Sequence, residues 1–444
     1  MTVVTTQLVI SDATPKVKGF GTVLIAGHHT AFADVRTYSA DSDGLTSMVS
    51  DGISVDNEIY CIAQAIVAMN PHVSTLKVGK LSATPVANGF SLTVTEAVVG
   101  RTYWVTLQLG SKEPVTFSMI ARTGATPTTL AAGFSEMIDM HADFVCTYAG
   151  PVINVLSSST GAKVKTRGFC ERLTLINTIS EATTDYSTDL AAINAEDSDW
   201  YGLLITGTSD GALAVAQTFA EANGKLFMGL CPSSAAVASG SLDALSVASS
   251  SHLHRSGTVA TRDWAGRADA QALCQLLAIA PPNVATIHGK ALAGARVDTW
   301  SATAKSYITA KHGISYYNEA GIPMLHDGWA ASGRYLDLTV LADWVVARID
   351  EALIALIANA RTIPFNSAGE AMVQNAVSGV LTLAESAGVI APAADKERGW
   401  KVTVPRSVDI PAATRAARKM PGVKFQFFAL GSVQTLEVVG SMGV

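Results

Sequence analysis

The last quarter of the chain, residues 331–444, constrains the fold most. It holds two helical runs with apolar periodicity and a pair of β-prone runs, with no cluster of side chains able to do chemistry. From about Leu336 to Asn359, residues Leu338, Leu341, Ala342, Val345, Ile349, Leu353 and Leu356 recur at helical spacing, with Asp337, Asp343, Asp350 and Glu351 mostly opposite. Pro364 closes that segment, because proline has no amide proton to give a helix interior. Ser367 and Glu370 have the spacing of a capping box. Met372, Val373, Ala376, Val377, Val380 and Ala384 then mark the inner face of a second helix, which Gly388 suits as a C-terminal cap. The ending VKFQFFAL, Gly431-Ser432, VQTLEVVG predicts a hairpin over 423–440, since glycine supplies the positive φ of a tight turn. Its apolar positions are Phe425, Phe427, Leu430, Val433, Leu436 and Val438. A region so regular and so poor in chemistry points to assembly.

The rest of the chain reads as α/β with an interruption. Residues 21–80 give strand, helix, strand: GTVLIAG, NEIYCIAQAIVAM, STLKVGK. Residues 83–166 change to short strands between turns, with one helix, and read as an inserted β-rich domain. The alternation resumes over 167–330 with DWYGLLITG, ALAVAQTFAEAN, KLFMGL, RADAQALCQLLAIA and ISYY. The Ser- and Ala-rich stretch 233–257 reads as a mobile surface segment. Residues 1–20 read as an arm: Val3, Val4, Leu8, Val9 and Ile10 are β-prone and apolar, yet no turn pairs them locally, so their partner lies elsewhere. The expected organisation is therefore an arm at 1–20, an α/β domain of 21–82 and 167–330, the insertion at 83–166 and a C-terminal domain at 331–444.

Composition adds to the assembly reading. Only 15% of residues are charged against 48% hydrophobic, below the quarter usual for a lone soluble domain, which implies surface buried against other copies. A net charge of −6 argues against a nucleic-acid binder. Neither a membrane span nor a secretory signal is expected. The 5 cysteines, Cys61, Cys146, Cys170, Cys231 and Cys274, form no CxxC pair and read as reduced, partly buried thiols; a disulfide between copies is the other possibility.

One motif resembles an enzyme's. Gly207-Thr208-Ser209-Asp210-Gly211 fits G-x-S-x-G between a strand and a helix, and Asp298 and His326 follow in the order a hydrolase triad needs. Against it, no HGGG-type oxyanion segment precedes it, and Ser209 or Asp210 would equally cap the helix. His28, His29, His252 and His254 lack further metal ligands at suitable spacing and read as surface histidines. Trp104, Trp200, Trp264 and Trp344 read as core, and no Walker A or Rossmann glycine pattern appears. The stretch 396–424 is basic. Lys396, Arg398, Lys401, Arg406, Arg415, Arg418, Lys419 and Lys424 face only Glu397 and Asp409, which suits either a solvated face or attachment to an acidic partner.

The C-terminal quarter resembles the C-terminal domain of contractile tail sheath proteins of myophages and related contractile injection particles. The residues that carry the resemblance are Ala331-Ser332-Gly333 before Asp337, Asp343-Trp344, Ile363-Pro364-Phe365, Gly369, Gly388-Val389-Ile390, and Arg415 and Arg418 with Pro421. Upstream, Asp199-Trp200-Tyr201-Gly202, Asn70-Pro71 and Lys77-Val78-Gly79 also fit, so the similarity spreads over most of the chain. The resemblance implies a multidomain α/β structural subunit in hexameric rings, stacked helically around an inner tube and contracting to drive that tube through a host envelope. It implies terminal arms that exchange strands between subunits, here residues 2–12 and 423–440, and an inner domain made from the C-terminal part. It further implies tube contact, for which Arg415, Arg418 and Lys419 are the candidates, and partners at the baseplate and tail terminator. No catalytic residue, metal or cofactor, no direct nucleic-acid contact and no membrane insertion is expected. The particle would be a virion tail assembled in the bacterial cytoplasm. The alternatives from the residues alone are an α/β hydrolase with Ser209 as nucleophile and another virion scaffold.

Overall fold

An uninterrupted apolar run makes the first strand, β1 (Thr22–Gly27), in which Val23, Leu24, Ile25 and Ala26 have no solvent exposure. Such a strand needs cover on both faces, which helices flanking a parallel sheet provide. The computed structural model describes residues 19–82, 89–159, 162–179, 186–240, 242–391 and 399–431. They divide into two compact units, 19–280 with 284–339, and 281–283 with 340–431.

In the first unit β1 is followed by β2 (Arg36–Ser39), α1 (Ser42–Ser50), α2 (Glu58–Val67) and β3 (Thr75–Lys80). The β-rich insertion then supplies β4 (Gly89–Val94), β5 (Thr102–Leu109), β6 (Val115–Ile120), α3 (Pro127–Asp139), β7 (Phe144–Ala149), β8 (Val152–Ser157), β9 (Val164–Phe169) and β10 (Leu173–Ile179). These strands form two antiparallel sheets, ordered β10-β4-β8-β7 and β6-β5-β9. The insertion thus runs to Ile179, past the boundary at 166 expected from the sequence. The segment around Lys163, Lys165 and Arg167 does not look like a buried strand in sequence because its cations are matched by acceptors that only folding assembles.

The α/β pattern resumes with α4 (Tyr186–Glu196), β11 (Gly202–Ile205), α5 (Asp210–Ala222), β12 (Leu226–Cys231), α6 (Ala244–Ser250), β13 (Ser256–Ala260), α7 (Ala268–Leu277), α8 (Ala302–Ala310), β14 (Ile314–Glu319) and β15 (Ile322–His326). With β1–β3 these strands build one eight-stranded sheet, ordered β15-β14-β13-β12-β11-β1-β3-β2. Its inner strands pair in parallel, while β2 and β15 close the two edges antiparallel. On one face Leu24, Leu203, Ile205 and Phe227 meet Leu190 and Ile193 of α4, Leu213 and Ala216 of α5, and Leu245 of α6.

The Ser- and Ala-rich stretch is not a mobile surface segment. It forms a 3-10 turn at Ser234–Val237, α6 and the start of β13, and buries Ala236, Ala244, Leu245 and Ala248. Small side chains here permit close packing. Asp243 caps α6 through Ser246 N and takes Lys311 Nζ at 2.7 Å. Trp200, Trp264 and Trp344 are core residues, but Trp104 stands 36% exposed on β5. All the cysteines are free and buried.

The remaining elements are α9 (Leu336–Asn359), α10 (Ser367–Ser386), β16 (Trp400–Thr403), α11 (Ala412–Ala416) and β17 (Lys424–Phe427). The division between the two units falls within α9.

Candidate assembly interface

Helix α9 buries Leu341, Trp344, Val345 and Ile349 but leaves Val346, Ile354 and Ile357 exposed, the last by 69%. Its second half is apolar on more than one side, beyond what a single core contact uses. Asp337, expected to face outward, is instead buried. It accepts from Leu338 N at 2.8 Å, and burial pushes its carboxyl above the usual range. The capping box expected at Ser367 and Glu370 does not form. Asn366 caps α10 through Ala368 N and Gly369 N, and Glu370 turns to accept from Ser407 N and Oγ at 2.5 and 2.6 Å. Those two donors hold the Glu370 carboxyl below its ordinary pKa. A side chain at Gly369 would collide with the Pro364 carbonyl, so only glycine lets this turn close. At the far end Gly388 takes φ 76°, and Val389 N reaches Ala384 O at 2.9 Å, the bonding of a Schellman cap.

The cap delivers the chain into a small sheet. Strands β16 and β17 pair antiparallel, Trp400 opposite Phe427 and Val402 opposite Phe425. Those four are half-buried on one face, with Lys401, Thr403, Lys424 and Gln426 exposed on the other. Trp400 Nε1 donates to Glu385 Oε2 of α10 at 3.0 Å, which sets the apolar face toward that helix. Beyond Phe427 the chain bridges back to the cap: Ala391 N donates to Phe428 O and Leu430 N to Val389 O, both at 2.8 Å. Phe428 and Leu430 remain 71% and 47% exposed. The described partner of β17 is therefore β16. The second arm of the expected hairpin, with Val433, Leu436 and Val438, lies outside the described residues, as does the N-terminal run Val3, Val4, Leu8, Val9 and Ile10.

Within the basic stretch the three candidate contact residues separate. Arg415 is half-buried and donates from its guanidinium to Ser407 O at 3.1 Å, so it has a structural task. Arg418 and Lys419 are exposed at the end of α11, Arg418 with a left-handed φ of 54°.

The G-x-S-x-G turn is built as a helix start. Ser209 Oγ accepts from Ala212 N at 3.3 Å, capping α5. His326 ends β15, four strand positions from β11 in the sheet, or about 19 Å at the usual spacing. Its ring stacks on Tyr317 at 3.5 Å, and Asp298 accepts instead from Arg262 N at 3.0 Å. No triad is assembled. Nor is His29 a surface residue: it is 3% exposed, and burial with Lys80, Arg36 and His28 nearby lowers its pKa to about 4. Sequence reading missed this because His29 follows β1 at the buried end of a central strand. Among the described residues no group of His, Cys, Asp and Glu could hold a metal, and no helix is long and apolar enough to cross a membrane.

Comparisons with known proteins agree with this layout. Residues 336–441 match the family described as E217 tail sheath protein gp31-like, C-terminal domain. Over 99% of both chains the fold is similar to the helical sheath of the anti-feeding prophage in its contracted state, at 10% identity and a TM-score of 0.52. It is also similar to the contracted sheath of the extracellular contractile injection system PVC, over 100% of this chain and 98% of that one, at 10% identity and a TM-score of 0.50. No curated protein sequence matches the chain. The C-terminal part, residues 336–441, thus matches a tail sheath family, and along its length the chain has a fold similar to that of contractile sheath subunits.

Proposed function

We propose that this subunit polymerises into hexameric rings stacked helically around an inner tube, and that the polymer contracts to drive the tube through a host envelope. The observation that carries the reading is the family match over 336–441, a region that leaves Ile354, Ile357, Leu383 and Phe428 exposed among its described residues. Its partners are other copies, a tube protein, and baseplate and terminator proteins. Its place is the sheath of a virion tail assembled in the host cytoplasm.

Subunits are joined by strand addition. An arm from 2–12 of one copy adds through backbone hydrogen bonds to the strand edge offered by the 423–440 run of a neighbour. Such joints hold while subunits rotate, since they depend little on side-chain shape. Arg418 and Lys419 face an acidic tube, with Arg415 fixing the turn behind them. Contraction needs no cofactor: burial of further apolar area, repeated over many copies, supplies the work. Negative-stain microscopy of the purified protein tests the reading, with regular tubes expected. Dispersed monomers at every concentration and salt would sink it.

A further inference from the structure

In a doubly wound sheet the crevice beyond the carboxyl ends of the strands, where the strand order reverses, is the usual ligand site. Here that point lies at β1, with β3 on one side and β11 on the other. The acceptors around it are taken by side chains of the chain itself. Lys163, just before β9, donates from Nζ to Thr206 O and Thr208 Oγ1, both at 3.1 Å, in the turn after β11. Lys165 on β9 pairs with Glu58 at the start of α2, 2.9 Å away. Arg267 completes the group, reaching Glu58 Oε1 at 3.0 Å, Ile205 O at 3.1 Å and Asp269. Arg167 donates to Gln108 Oε1, to Asp263 Oδ2 and to Gly294 O at 2.8–3.1 Å.

Lys163, Lys165, Glu58, Arg267 and Asp269 are all under 7% exposed. Burial alone would push the Glu58 carboxyl up; Lys165 and Arg267 beside it outweigh that and hold it below the usual range. Charges at this depth cannot be separated one at a time, because each left behind would be unpaired in the interior. Apolar packing runs alongside, with Phe90 of β4 edge-on to Trp264 at 5.5 Å.

We propose that β9 is an internal clamp: its basic residues fill the switch-point crevice and fix the β-rich insertion to the eight-stranded sheet as one rigid body. A hinge at this joint would have to break the contacts to the turn after β11, the start of α2 and the loops at 262–267 and 293–296 together. On the sheath reading above, contraction therefore proceeds without rotation between insertion and sheet.

Hydrogen exchange on the full-length chain tests the clamp. In the wild type, amides of β5 and β9 should exchange as slowly as those of β1 and β11. In Lys165→Met, which strands Glu58, protection of β5 and β9 should fall about a hundred-fold while β12 and β13 keep theirs. Adding Glu58→Gln should restore part of it, since both charges are then gone. Rapid exchange of β9 in the wild type, with β1 still protected, overturns the clamp, as does unchanged β9 protection in a folded Lys165→Met. Polymer formation is read separately on the same samples. Tubes with an independently opening insertion refute the clamp alone, and a co-protected insertion in a chain that never polymerises refutes the sheath reading alone.

Discussion

At Ser209 two demands compete for one hydroxyl: a nucleophile needs a base, and a helix start needs an acceptor. The second is met, by Ala212 N at 3.3 Å. Ser209→Ala should therefore cost about 1 kcal/mol in chemical denaturation, the usual value of an N-cap, and leave polymers intact. Ester turnover present in the wild type and absent in the variant would contradict this. Asp298 offers a second test. Burial raises its pKa to about 7, opposed by the Arg262 amide, against an ordinary 3.8. A raised folded pKa means its contribution to stability is complete below 3.8 and lost as pH rises to 7. Asp298→Asn keeps the acceptor for Arg262 N and removes the charge. It should gain stability on the order of a few kcal/mol at pH 8 and nothing at pH 4, read from urea midpoints. A pH-independent difference would show that Asp298 does not titrate in this range.

At the scale of elements, periodicity told helix from strand but not partner. The α9 range expected from Leu336 to Asn359 is the observed one, because caps and periodicity are local. The cap of α10 lies at Asn366, one residue before the expected Ser367, and Ser407, thirty-seven positions on, takes the Glu370 carboxylate that the expected capping box needs. The basic stretch behaves likewise: Arg415 is spent on Ser407 O, while Arg418 and Lys419 stay on the surface. Arg418→Glu with Lys419→Glu should leave the melting temperature unchanged and weaken co-sedimentation with an acidic tube at low salt. Wild-type association should also fall as salt rises, since exposed charges are screened beyond about 10 Å at 0.1 M. Arg415→Glu, by contrast, should lower the melting temperature. Tube association indifferent to both salt and reversal would leave the stretch a solvated face.

For the whole molecule the arm is the sharpest test. Residues 2–12 are apolar and β-prone without a local partner. Deleting 1–14 should leave circular dichroism and the melting curve of a folded subunit while long tubes disappear. Tubes of normal length from the truncated chain would end the strand-exchange idea, and a failure to fold would place the arm within its own domain.

By itself the sequence determined what depends on near neighbours: the alternating strands and helices, the two C-terminal helices, and a β-rich interruption. Motif order added the sheath resemblance. Tertiary structure alone decided which charges are interior. Nothing near Lys163, Lys165 and Glu58 in the chain marks them as interior; only folding brings β9, α2 and the turn after β11 together around them. It also decided that Ser209, Asp298 and His326 stand apart, and that the Ser- and Ala-rich stretch is core. The reason is physical: periodicity and capping act within a few residues, whereas the cost of burying a charge is settled by partners far away in the chain.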